Sequence, residues 1–167
     1  MADAPALVII GAPGAGKTRI GKRIARLLEL PFVDTDKRIV SLHGGIPEIF
    51  EQHGEPHFRE LEREQVRRAL TEHAVVSLGG GAVLDSATQA ELAGLRVIQL
   101  TVSADKIAAR NIGAGRPLLA GGVEAWKALV ATRAPLYDGL ASATFDTSTL
   151  PAERIADDIV RWLKETS

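Results

Sequence analysis

The sequence predicts an α/β fold, a three-layer sandwich in which helices cover both faces of a central five-stranded parallel sheet. Three observations predict it. Apolar runs of strand length, at Leu7–Ile10, Phe32–Val33, Val75–Leu78, Val97–Val102 and Ala143–Phe145, recur along the chain with helical patterns between them, the alternation that a parallel sheet requires. The 167 residues fit one domain, residues 1–167, with a core large enough to form without staples. Residues 11–18 read Gly-Ala-Pro-Gly-Ala-Gly-Lys-Thr, a complete G-x-x-x-x-G-K-[ST] between the first apolar run and the first helical pattern.

The elements follow in order. The first strand ends at Gly11, and a helix opens near Lys17 with Ile20, Ile24, Leu27 and Leu28 on one side, stopping before Pro31. After the second strand, Gly44, Gly45 and Gly54 punctuate the chain, and Glu55 to Leu70 is patterned as a helix that tolerates Pro56 in its first turn. The third strand runs into Gly79-Gly80-Gly81. Residues 112–124 hold four glycines and one proline with few anchoring apolar side chains, which predicts a mobile lid. Helical patterns return at 124–138 and 151–165, the last burying Ile155, Ile159, Trp162 and Leu163. No internal repeat or linker interrupts them.

Composition excludes several classes of function. With no cysteine there is no disulfide, thiolate metal site or cysteine nucleophile. Lys plus Arg number 20 against 21 Asp plus Glu, a net charge of −1, so no whole-protein field recruits nucleic acid or an anionic membrane and anion binding must be local. The run Ala6–Ile10 is too short and too poorly flanked by positive charge for a secretory signal, and no apolar stretch reaches the ~18–20 residues of a membrane span. A cytoplasmic protein is expected. The histidines, at 43, 53, 57 and 73, form no metal pattern.

The glycine-rich segment is a phosphate cradle. Gly14, Ala15 and Gly16 let backbone N–H groups turn around phosphate oxygens, and the helix N-terminus adds its partial positive charge. Lys17 reaches the outer phosphates and Thr18 ligates Mg²⁺. A dinucleotide fingerprint begins at Gly14-Ala15-Gly16 but fails where Arg19 replaces the third glycine. At the carboxyl end of the second strand stands Asp34-Thr35-Asp36, where doubly wound sheets place ligands. On an extended chain the two carboxylates point the same way. Asp34 then serves as the outer partner of Mg²⁺ through water, and Asp36 orients, or takes the proton of, an attacking hydroxyl. Alternatively Asp36 caps the next helix, and one residue can do both.

At this point the chain resembles the shikimate kinases. The resemblance lies in Gly11–Thr18, Asp34-Thr35-Asp36, Gly45-Ile46-Pro47-Glu48-Ile49-Phe50 and Gly54-Glu55 through Phe58-Arg59, then in Leu78-Gly79-Gly80-Gly81, Arg116-Pro117-Leu118-Leu119 and Arg133-Ala134-Pro135-Leu136-Tyr137. It implies a P-loop kinase fold of the nucleoside-monophosphate-kinase type, with a substrate region at about 34–62 and a lid at about 112–124. It also implies transfer of the γ-phosphoryl of ATP to the 3-hydroxyl of shikimate, giving shikimate 3-phosphate and ADP on the way to chorismate and the aromatic amino acids, with Mg²⁺, in a monomer. By the resemblance Asp36, Arg59, Gly79, Gly80, Gly81 and Arg133 hold shikimate, and Arg116 comes from the lid onto ATP. Arg110 resembles the family's adenine-facing arginine, with Pro151 as the opposite wall. Arg19 stands beside the cradle where the family commonly has a second hydroxyl residue, and Thr147-Ser148-Thr149-Leu150 lacks the arginine often found there.

The chemistry of these residues agrees with that assignment. A hydroxylated carboxylate needs its charge neutralised by planar two-pronged donors, which Arg59 and Arg133 supply. The triple glycine lets backbone approach a ligand where a side chain collides. Arg116, before Pro117, carries positive charge onto the transferring group as the lid closes and expels water. Glu62 is spaced to orient Arg59, whereas Glu60, Arg63, Glu64 and Arg68 read as a solvated face with Glu60 pairing Arg63 and Glu64 pairing Arg68. Arg133 has an ordinary role open to it at a helix C-terminus. Trp126 packs on the core near the lid. A kinase for another small metabolite predicts that Arg59 and Arg133 do not converge, and a non-catalytic nucleotide-binding protein predicts that Asp36 is dispensable.

Overall fold

The computed structural model describes residues 3–110 and 122–167, and its strands form the expected parallel sheet. β1 (Leu7–Gly11), β2 (Phe32–Asp34), β3 (Val75–Ser77), β4 (Val97–Thr101) and β5 (Ala143–Asp146) lie in the order β2-β3-β1-β4-β5. β1 is buried throughout, as a central strand covered on both faces must be. Leu7 stands opposite Val75 on one side and Val8 opposite Val97 on the other. Successive β1 residues feed different layers. Leu7 and Ile9 pack with Ile20 and Ile24 of α1 (Lys17–Leu28) and with Ile155 and Ile159 of α7 (Ala152–Glu165), while Val8 and Ile10 pack with Val66 of α3 (Ile46–Ala69) and Tyr137 of α6 (Gly122–Leu140). The chain leaves β1 toward β2 and β3 and later crosses to β4, so the strand order switches beside the carboxyl end of β1, where open α/β sheets form their crevice.

Several expectations are corrected. On α1 the buried stripe is Ile20, Gly21, Ile24 and Ala25, whereas Leu27 is 42% exposed because it falls one flank outside that three-and-four pattern. Trp162 is only partly buried and meets Phe145 edge-on at 6.3 Å between centroids. α6 opens at Gly122, ahead of the expected Glu124. Arg116 and most of the proposed lid lie outside the described residues. Three short helices, α2 (Thr35–His43), α4 (Ser86–Leu92) and α5 (Ala104–Arg110), and the first half of α3 carry too few periodic apolar residues to announce themselves. Within α3, Gly54 breaks the helix at φ +83° and ψ 169°, which puts Pro56 in the first turn of the second half as expected.

Arg63 does not pair with Glu60. It reaches across to α4 and holds Glu91 with two bonds of 2.9 and 2.6 Å, so it fastens helices together where a solvated face was expected. Glu64 does pair with Arg68, at 2.9 Å, and also with Arg67. A two-pronged pair also joins Arg38 of α2 to Glu72 beyond the end of α3, one bond measuring 2.7 Å. The guanidinium holds the Glu72 carboxyl below the ordinary value of 4.5. A depressed folded value means that the stabilisation is present above that unfolded value and is lost as the pH falls through the folded one. Glu72→Gln is therefore expected to cost up to about 1 kcal/mol at pH 7, with the difference from wild type closing below pH ~4.5. Urea unfolding at a series of pH values measures it; a difference independent of pH contradicts the assignment.

Candidate active site

The phosphate loop is built by glycine geometry. Gly14 and Gly16 take φ values of +83° and +96°, in the left-handed region that a Cβ disfavours, and they bend the chain from β1 into α1. The first turn of α1 holds no acidic residue, so the positive end of the helix dipole faces the loop unneutralised. The Lys17 ammonium folds back over the loop, donating to the carbonyls of Gly11 at 2.7 Å and Ala12 at 3.0 Å. Burial lowers its pKa to about 8, with Asp36 and Asp34 pulling the other way, so it carries its charge at neutral pH.

The two aspartates are placed differently from the expectation. They do not share an extended chain: Asp34 ends β2 and Asp36 lies in the first turn of α2. Asp34 is the cap, accepting from the Lys37 amide at 3.2 Å through Oδ1, while its Oδ2 accepts from the Thr18 hydroxyl at 3.0 Å. Relieved of capping, Asp36 turns into the site, where its Oδ1 is buried with no hydrogen-bond partner among the described residues. Burial, and then the negative charge of Asp34, raise its pKa, and Lys17 and Arg59 oppose them.

The glycine triplet after β3 has a reason that spacing alone did not reveal. A Cβ on Gly79 would lie 2.5 Å from Asp36 Oδ1, one on Gly80 would lie 3.1 Å from Arg133 Nη1, and one on Gly81 would lie 2.7 Å from Arg59 Nη2. Three functional side chains from α2, α6 and α3 thus pack directly on three successive backbone positions. Glycine at these positions leaves room for the flexible ends of the protein's own side chains, a use that the sequence did not announce. Gly81→Ala is expected to push the Arg59 guanidinium aside and raise the KM of a carboxylate substrate about tenfold or more, leaving that of a nucleotide on the phosphate loop within about twofold. Steady-state titrations of each substrate test this, and equal changes in both would count against it.

Arg59 is held at 2.8 Å by Glu62, whose side chain is 5% exposed and whose pKa burial raises against the pull of Arg59. Sequence spacing foresaw this pair. It did not foresee Tyr137, buried beside Arg133, whose hydroxyl donates to the Gly80 carbonyl at 2.7 Å. The i,i+4 spacing of Arg133 and Tyr137 was the available signal. Nor did it foresee Thr35, fully buried, whose hydroxyl makes two long bonds of 3.4 Å to Ser77 and Gly79 and ties the start of α2 to the end of β3.

A cavity of about 920 Å³ runs from Arg110 and Pro151 past Lys17 and Thr18 to Asp36 and Gly80. Arg110 donates to the Gly14 carbonyl at 2.8 Å and to Thr147 at 3.3 Å. Arg19 also lines the cavity but stays exposed, 3.6 Å from Glu153. Arg59 borders instead a second hollow of about 290 Å³, with Glu62 and Gly81. The groups nevertheless form one electrostatic unit. Asp36 feels Lys17 and Arg59, Lys17 feels Arg133, and Glu62 feels Arg59, Asp36 and Arg133. Such an arrangement is chemically able to bind polyanionic phosphate at one end and to neutralise an acid at the other, with a buried carboxylate oxygen near both.

Comparison with known proteins agrees with this geometry. The family model described as "Shikimate kinase" matches residues 13–164. The chain is 47% identical over 168 residues to the shikimate kinase of Mycobacterium avium (strain 104), covering 98% of this chain and 96% of that protein. It is 44% identical over 167 residues to the shikimate kinase of Thermobifida fusca (strain YX), covering 98% and 97%. The structure of shikimate kinase from Acinetobacter baumannii in complex with shikimate superposes with a TM-score of 0.91 at 29% identity, covering 99% of this chain and 95% of that one.

Proposed function

This chain belongs to the shikimate kinase family, and on that premise we propose how its residues divide the work of the reaction. The enzyme is an ATP-dependent shikimate kinase that moves the γ-phosphoryl group of ATP to the 3-hydroxyl of shikimate. The observation that carries the residue assignment is the buried Asp36 Oδ1, without a hydrogen-bond partner among the described residues and set near Lys17 and Arg59.

The phosphates of ATP rest on the loop Gly14-Ala15-Gly16 and on Lys17, with the adenine between Arg110 and Pro151 and with Arg19 at the rim. Thr18 and Asp34 are the residues that would hold Mg²⁺. Their hydroxyl and carboxylate oxygens already lie 3.0 Å apart beside the phosphate loop, and hard oxygen donors of this kind suit that ion. Bound there, it neutralises charge on the phosphates. Arg59, oriented by Glu62, and Arg133 neutralise the carboxylate of shikimate, and Gly79, Gly80 and Gly81 bring backbone against its ring. Asp36 aligns the 3-hydroxyl and takes its proton as the new O–P bond forms and the bond from the γ-phosphorus to the leaving oxygen of ADP breaks. Lys17 and Arg116 balance the charge that spreads over the transferring group. Arg116 is assigned from the sequence alone. The scheme calls on no second copy of the chain, so a monomer is the reading proposed with it, and dependence on the ATP pool supports a cytoplasmic setting.

The test is product identification. ³¹P NMR of a reaction with ATP, Mg²⁺ and shikimate is expected to show ADP and a phosphate ester on the 3-oxygen in equal amounts. ADP accompanied only by inorganic phosphate would overturn the proposal.

A further inference from the structure

Two buried residues define the inner face of α6, Trp126 and Tyr137. They stand about three helical turns apart, hence on the same side of the helix and about 16 Å from each other along it. Each ring is nearly closed to solvent, 4% exposed for Trp126 and 1% for Tyr137, and each spends its single polar donor on a backbone carbonyl of the active site. Trp126 Nε1 donates to Pro13 of the phosphate loop at 2.8 Å, and the Tyr137 hydroxyl donates to Gly80 of the glycine triplet at 2.7 Å. The carbonyls they hold belong to neighbouring segments, since a Cβ on Gly80 would lie 3.6 Å from the Pro13 ring.

A trans peptide is planar, with its carbonyl and its amide hydrogen on opposite sides. Fixing the Pro13 carbonyl toward α6 therefore turns the Gly14 amide away from α6, and fixing the Gly80 carbonyl does the same for the Gly81 amide. Gly14 and Gly80 line the main cavity and Gly81 the hollow beside Arg59. One rigid helix thus aims an amide on the nucleotide side and another on the acceptor side, and it carries Arg133 between the two anchors. We propose that Trp126 and Tyr137 are positioning residues, and that α6 acts through them as a gauge that sets the spacing between the phosphate donor and the acceptor. This rests on the kinase reading above and adds to it what holds the two half-sites in register.

The test removes each donor while leaving an aromatic ring in its place, the same ring for Tyr137 and a smaller one for Trp126. Trp126→Phe is expected to weaken MgADP binding about fivefold by calorimetry without changing shikimate binding, the effect of losing one hydrogen bond, and Tyr137→Phe to weaken shikimate binding at least as much without changing MgADP binding, because its hydroxyl also meets Arg133. Both variants should lower kcat, and the double variant should lose less than the product of the single losses, because each relaxes the same spacing. Amide NMR shifts of Gly14 and Gly81 read the geometry without turnover: Trp126→Phe should move the first and Tyr137→Phe the second. Loss of both ligands' binding in equal proportion in each single variant, or unchanged binding and shifts in a folded variant, overturns the proposal. MgADP binding needs no shikimate turnover, so this result stands apart from failure of the kinase reading itself, which would show as wild type that makes no shikimate phosphate.

Discussion

Asp36→Asn is expected to lower kcat by about 10²–10⁴-fold while leaving the KM for ATP within a few-fold of wild type. The substitution preserves size and removes both the negative charge and the basicity of the one carboxylate oxygen that is buried without a partner among the described residues. Asp34, two positions earlier, cannot replace it, because its two oxygens are engaged by Lys37 and Thr18. Phosphoryl transfer asks little of a base, so a large part of the loss reflects the hydroxyl's alignment beside Lys17. A coupled assay of ADP release at saturating substrates measures the effect. A kcat within about threefold of wild type would remove Asp36 from the reaction.

Arg133→Ala is expected to raise the KM for shikimate by roughly 30- to 1,000-fold, since removing one partner of a charge pair buried in the complex costs about 2–4 kcal/mol. The guanidinium lies beside Gly80, and its charge acts on both Lys17 and Glu62. The KM for ATP is expected to change by no more than a few-fold. Arg133→Lys keeps the charge but loses the two-pronged geometry and should recover only part of the affinity. Equal rises in both KM values would contradict a role in carboxylate binding.

Much of this site was legible because its parts are local. The spacing of Gly11 to Thr18 fixes a loop whose shape depends on glycines and a helix start within a few residues. The three-residue step from Arg59 to Glu62 predicts their contact on any helix, and the structure shows it at 2.8 Å. What escaped the sequence depends on contacts between distant segments. Nothing near Arg63 announces that Glu91 is its partner, and nothing near residue 81 announces that Arg59 will lie against it. The division of labour between Asp34 and Asp36 turned on one local fact, that α2 starts immediately after β2, which a nine-residue helix with two buried positions does not advertise. Trp126 was legible as a core residue but not as a donor to Pro13, because that bond spans 113 positions.

On the proposed mechanism the phosphate loop and the guanidinium pocket serve one reaction, joined at Asp36. The rate of ADP release at saturating MgATP, measured with and without shikimate, tests it most directly. Closure of one site around both substrates predicts stimulation by shikimate of about 100-fold or more; release at the same rate whether or not shikimate is present would contradict it.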